Sequence, residues 1–85
     1  MGVSNTAGLF EARRIIQDQF GCSIMISANT RLVESLGADE VDLVEIVWAI
    51  ESETGVPVPD EEAETLRSVG DVIRCVRRRM EAEAA

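Results

Sequence analysis

Between Asp39 and Gly55 the chain runs without a glycine or a proline, and this stretch most narrows what it can fold into. Asp39 is a good helix N-cap. Glu40 and Asp42 follow in the first turn, where negative charge complements the helix dipole. Gly55 is a natural stop. At 3.6 residues per turn, Leu43, Val44, Ile46, Val47, Trp48 and Ile50 fill a broad apolar arc, and Asp42, Glu45 and Glu53 fall together opposite it. The spacing therefore predicts a helix over 39–54. Trp48 lies at the edge of the arc, where a core or half-core position is expected and an interface anchor is the alternative.

Three further helical patterns flank this one. Ser4, Asn5 or Thr6 can cap a first helix whose apolar residues recur at Leu9, Ala12, Ile15, Ile16 and Phe20, with Phe10 off the stripe and Gly21 as its stop. The long loop from Gly21 to about Ala38 carries Ile24, Met25, Ile26, Leu32, Val33 and Leu36, which can plug it onto a core. After the second helix, Val56-Pro57-Val58-Pro59 cannot be helix interior. Asp60 can then cap a short third helix that needs tertiary support. Ser68 and Asp71 have capping-box spacing for a last helix with a stripe at Val69, Val72, Ile73, Val76 and Met80. Arg77, Arg78 and Arg79 are expected to close that helix against its dipole and pair with nearby acids, leaving a frayed tail from Glu81 to Ala85. Three longer helices and one short one pack as an all-α four-helix bundle around a single core. The 85 residues allow one domain, with an ordered core expected over about 7–80.

The charge pattern excludes several functions. Sixteen acids against eight arginines, with no lysine and no histidine, give a net charge of −8. That argues against nucleic acid and anionic membranes as partners and for basic protein surfaces met quickly and salt-sensitively. Without histidine the chain lacks the commonest general base and metal ligand. No Ser or Cys has a plausible base beside it, and no phosphate-binding glycine loop is present, so the chain reads as a non-enzyme. Cys22 and Cys75 have no metal-site spacing and are expected as buried or partly buried thiols in a reducing compartment. A metal site at Asp39, Glu40 and Asp42 is not expected, because adjacent helix residues point apart. No signal peptide or bilayer-spanning run is seen, which makes the cytoplasm the default and a monomer the expected state.

From Ile15 to Arg79 the sequence resembles the bacterial acyl carrier protein family. The resemblance is carried by Ile15-Ile16-Gln17-Asp18-Gln19-Phe20-Gly21, by Glu34-Ser35-Leu36-Gly37-Ala38-Asp39 with Val41-Asp42-Leu43-Val44-Glu45-Ile46-Val47, and by Val58-Pro59-Asp60-Glu61-Glu62-Ala63-Glu64. It implies an acyl-carrier-like bundle serving fatty-acid or polyketide metabolism. In that family a serine within Asp-Ser-Leu, at the start of the second helix, receives a 4'-phosphopantetheine arm from a dedicated transferase. The arm's thiol carries the acyl group.

Here the corresponding residues are Asp39-Glu40-Val41, so Glu40 stands where the resemblance implies serine. A carboxylate cannot form the phosphodiester, and no prosthetic group is therefore expected on this chain. Ser35 precedes the helix with the wrong neighbours. Ser52 lies roughly 18 Å further along it. Two readings stay open. The chain is a partner-binding module that kept the docking face and lost the arm, or an ordinary carrier whose attachment serine has been substituted. Glu40 itself is either a helix-start acid or a carboxylate that imitates the charge of the missing phosphodiester.

The resemblance also implies that Asp42, Glu45, Trp48, Glu53, Glu61 and Glu62 dock onto basic patches of acyl-processing enzymes or of a phosphopantetheinyl transferase, with Glu64 extending the face. Thr54 sits where the family usually has a larger apolar residue, which implies a smaller or differently lined interior.

Overall fold

The structure is a computed structural model and describes residues 7–21 and 25–84, of which the side chains at 83 and 84 are left aside. Four helices follow one another: α1 (Leu9–Phe20), α2 (Glu40–Thr54), α3 (Asp60–Ala63) and α4 (Val69–Ala84). Among the described residues there is no strand, only one isolated antiparallel bridge between Arg31 and Ser68. The all-helical bundle with one short third helix is as the sequence predicts.

Each long helix buries one stripe. Ala12, Ile15 and Ile16 of α1, Ile46 and Ile50 of α2, and Val69, Val72, Cys75 and Val76 of α4 form the core with Leu32, Ala38, Val58 and Leu66. These spacings of three and four are what a 3.6-residue helix needs to keep one face dry. The buried arc of α2 is narrower than its sequence suggests. Leu43 and Val47 are half-buried, while Val44 and Trp48 turn outward. The core offers one face of contact, and a helix apolar nearly all round has more apolar surface than that face can cover.

The loop after α1 is fastened at its far end. Leu32 donates its amide to Arg67 O at 2.9 Å, and Thr30 O accepts from Val69 N at 2.9 Å. These bonds hold Leu32 in the core, and Ala38 N closes back on Leu32 O at 2.9 Å. Of the other expected plugs, Ile26 and Leu36 are half-buried, Met25 and Val33 are exposed, and Ile24 lies outside the described residues.

The helix ends differ from expectation in places. Gly8 occupies the N-cap of α1 with φ 84°, without a side-chain cap, and Ser4–Thr6 lie outside the described residues. A Cβ on Gly8 would stand 3.1 Å from both Ile73 O and Arg77 N of α4, so the close approach of the two helices requires glycine. Pro59, not Asp60, is the N-cap of α3. The Ser68/Asp71 box forms as predicted: Asp71 accepts from Ser68 N at 3.0 Å, and its own amide donates to Ser68 Oγ at 3.3 Å. Helix α4 continues to Ala84, so Arg77–Arg79 lie inside it rather than at its closing turn, and Glu81 is helical rather than frayed.

Candidate functional site

The head of α2 is set by two reciprocal bonds. Asp39 adopts extended backbone, and its carboxylate accepts from Asp42 N at 2.9 Å. Asp42 returns the contact by accepting from Asp39 N at 3.1 Å. Glu40 is thus the first helical residue, held at an exposed corner of the bundle. The amide of Asp39 and the side-chain amide of Gln19 both donate to the Asp42 carboxyl and hold it below its ordinary range.

Two surfaces diverge from Glu40. Val41, Val44, Glu45 and Trp48 line the outer face of α2 with it. Trp48 is 63% exposed, which removes the core reading and leaves it as the largest apolar side chain on that face. An open groove of about 420 Å³ runs between α2 and α3, lined by Leu43, Val44, Val47, Trp48 and Ala63, with Glu40, Asp60 and Glu64 as its acidic lining. Between Asp39 and Glu64 the sequence has no basic residue, so every charge around this groove is negative.

The acids grouped by helical spacing, Asp42, Glu45 and Glu53, stay together in the fold but meet α1. Gln19 Nε2 on α1 donates to Asp42 at 2.8 Å and to Glu45 at 3.0 Å. Glu53 pairs with Arg14 of the same helix. Asp42 and Glu53 therefore line the seam with α1, whereas Glu45 reaches both the seam and the outer face. Glu61 is exposed on α3. Glu62 turns inward, accepting from Arg79 at 2.6 and 2.7 Å. Arg79's hydrogen bonds are the chief cause holding the Glu62 carboxyl below its ordinary range, outweighing its partial burial.

Sequence reasoning missed Val41 and Val44 as surface residues. The available signal was their spacing with Trp48 at i, i+3 and i+7, a second apolar stripe beside the core stripe.

The other hydroxyls near α2 are differently placed. Ser35 is exposed in the loop, and its Oγ accepts from Arg31 N at 3.3 Å. Ser52 is exposed in the last turn of the helix. Thr54 is buried and donates to Ile50 O at 2.7 Å, so it closes the end of α2 from within. Cys75 is a buried free thiol, pushed up to about 12 by burial and by its contact with Glu62. Cys22 lies outside the described residues. Among the described residues no cluster of side chains could hold a metal ion, and no helix is long and apolar enough to cross a membrane.

Comparison with known proteins gives this geometry a family. The family described as "Phosphopantetheine attachment site" matches residues 11–76. The acyl carrier protein of Akkermansia muciniphila is 45% identical over 69 residues, covering 80% of this chain and 86% of that protein. That of Clostridium acetobutylicum is 40% identical over 68 residues, covering 79% and 88%. That of Wolinella succinogenes is 45% identical over 51 residues, covering 60% and 67%. With the match running from α1 to the middle of α4, the chain belongs to the acyl carrier protein family.

Proposed function

We propose that this chain is a partner-binding module of fatty-acid or polyketide-type acyl metabolism that does not itself carry 4'-phosphopantetheine at Glu40. The observation that carries the reading is chemical. The exposed first residue of α2, preceded by Asp39 as in the family's motif and followed by Val41 in place of its leucine, ends in a carboxylate. Attachment of the arm requires a hydroxyl that becomes the ester oxygen of a phosphodiester, and Glu40 has none. The residues here do not fit the group. Ser35 and Ser52 do not replace it, one held in the preceding loop and the other most of a helix length away. Glu40 sits between the reciprocal Asp39–Asp42 bonds, where a first-turn acid is favoured, so the departure creates no strain.

The docking face in this reading is the outer side of α2: Glu40, Val41, Val44, Glu45 and Trp48, extended by Glu61 on α3. Asp42, Glu53 and Glu62 support it from behind through their bonds to α1 and α4. A partner matching this face offers Lys and Arg around an apolar depression that takes Trp48. The cytoplasm is the setting the reading implies. Binding of a phosphopantetheinyl transferase tests it. The native chain is expected to bind without being modified, with affinity falling by about tenfold from low to high ionic strength. Absence of binding, or binding indifferent to salt, would count against the docking face.

A further inference from the structure

We propose that Arg79 is a latch that holds α3 against α4 and so sets the width of the α2–α3 groove. Helix α3 is a single turn, too short to persist unaided. None of its residues is buried, and Pro59 gives it no side-chain cap. Beyond the packing of Ala63 on the core edge, its polar tie to the bundle is one side chain. Arg79 Nη1 and Nη2 donate to the two Glu62 carboxylate oxygens at 2.7 and 2.6 Å. Nε donates to Pro57 O at 3.2 Å, and Nη1 also donates to Cys75 O at 3.1 Å. The guanidinium therefore grips the approach to α3 and its body together while staying 6% exposed.

The rest of the segment behaves as a strap. Val58 and Leu66 are buried at its two ends, and Val58 N donates to Glu51 of α2 at 2.9 Å. Between these anchors Ala63 packs against the edge of the core, and Glu62 is the residue that carries a charge inward. Arg78 approaches the same carboxylate at 3.5 Å, but from a largely exposed side chain. On its opposite side the strap presents Asp60, Ala63 and Glu64 as one wall of the groove, facing Leu43, Val47 and Trp48. Movement of α3 away from α4 thus moves this wall.

A buried ion pair contributes little net stability when both partners are present, yet loss of one leaves a charge that must reach water. Without Arg79, Glu62 reaches water by rotating α3 outward while Val58 and Leu66 hold the ends. This device is independent of the docking reading, because it concerns the groove wall and not the partner.

Amide hydrogen exchange on Arg79→Met and Glu62→Gln, with Nile red as a neutral apolar probe of the groove, tests the latch. The amides of Glu62–Thr65 are expected to exchange about tenfold faster or more in both variants, while those of Ile16, Ile50 and Val72 keep their protection. Nile red is expected to bind more tightly and to quench Trp48 by energy transfer. Unchanged α3 exchange in a folded variant overturns the latch. So does an acceleration spread evenly over all helices, which marks general destabilisation. Should Arg79→Met fail to fold, Glu62→Gln decides alone by the same criteria.

Discussion

Asp39 and Asp42 cap each other, each carboxylate accepting the other's amide, and Glu40 is held between them at the first turn of α2. The most distinctive residue of the chain therefore stands at its best-defined helix start. Asp39→Ala removes one half of this arrangement. A loss of about 1 kcal/mol in unfolding free energy is expected from the missing cap. Urea unfolding of the variant beside the native chain measures it, and an unchanged midpoint would show that the cap carries no stability.

Trp48 on the outer face of α2 is expected to emit as a water-exposed indole. Trp48→Ala should leave stability within about 0.5 kcal/mol, as surface changes do. It should weaken transferase binding by about tenfold or more, as the loss of an aromatic anchor does. A large drop in stability with unchanged binding would return Trp48 to the core.

Glu62 gives a pH dependence of known sign. Its folded-state pKa is lowered, chiefly by Arg79, so its contribution is fully present above the ordinary carboxylate value. That contribution is lost as the pH falls through the folded value. The stability difference between the native chain and Glu62→Gln should therefore be constant above about pH 5 and shrink as the pH falls below about 4. Comparing the two chains cancels the shared effect of neutralising the other acids. A difference that grows on acidification would contradict the assigned sign.

Cys75 is buried beside Glu62, and its thiol is pushed up to about 12. Alkylation at neutral pH should leave it unmodified in the folded protein and label it on unfolding, since the thiolate is the reactive form. Peptide mass mapping locates the label, and rapid native-state labelling at Cys75 would show a more open α3–α4 contact than the one described.

How much of this was legible differs by element. The Asp39 start and Gly55 stop of α2 were readable because caps are local chemistry, carried by one or two residue types at fixed positions. The Ser68/Asp71 box was readable for the same reason. The faces of α2 were not, because its apolar residues nearly encircle it, and only the positions of α1 and α4 decide which stripe is buried. Arg79 pairs with an acid as expected, but its burial inside α4 was not legible, because three consecutive arginines resemble a closing dipole cap. Its spacing of seven from Val72 places it on the buried stripe, but only an inward-turned Glu62 makes that position tolerable for a charge. Asp42 and Glu53 share a face by spacing, as predicted, yet that face meets Gln19 and Arg14. Periodicity groups residues without saying what lies opposite.

In the function proposed for this chain, Glu40 alone stands between the fold and carriage of the arm. Intact mass after incubation with coenzyme A and a broad-specificity phosphopantetheinyl transferase, with Glu40→Ser run in parallel, tests it most directly. The variant is expected to gain the mass of the arm and the native chain to stay unmodified. A mass gain on the native chain, which would mean that another hydroxyl serves, contradicts it. A variant that stays unmodified also contradicts it, since the transferase would then not recognise this docking face.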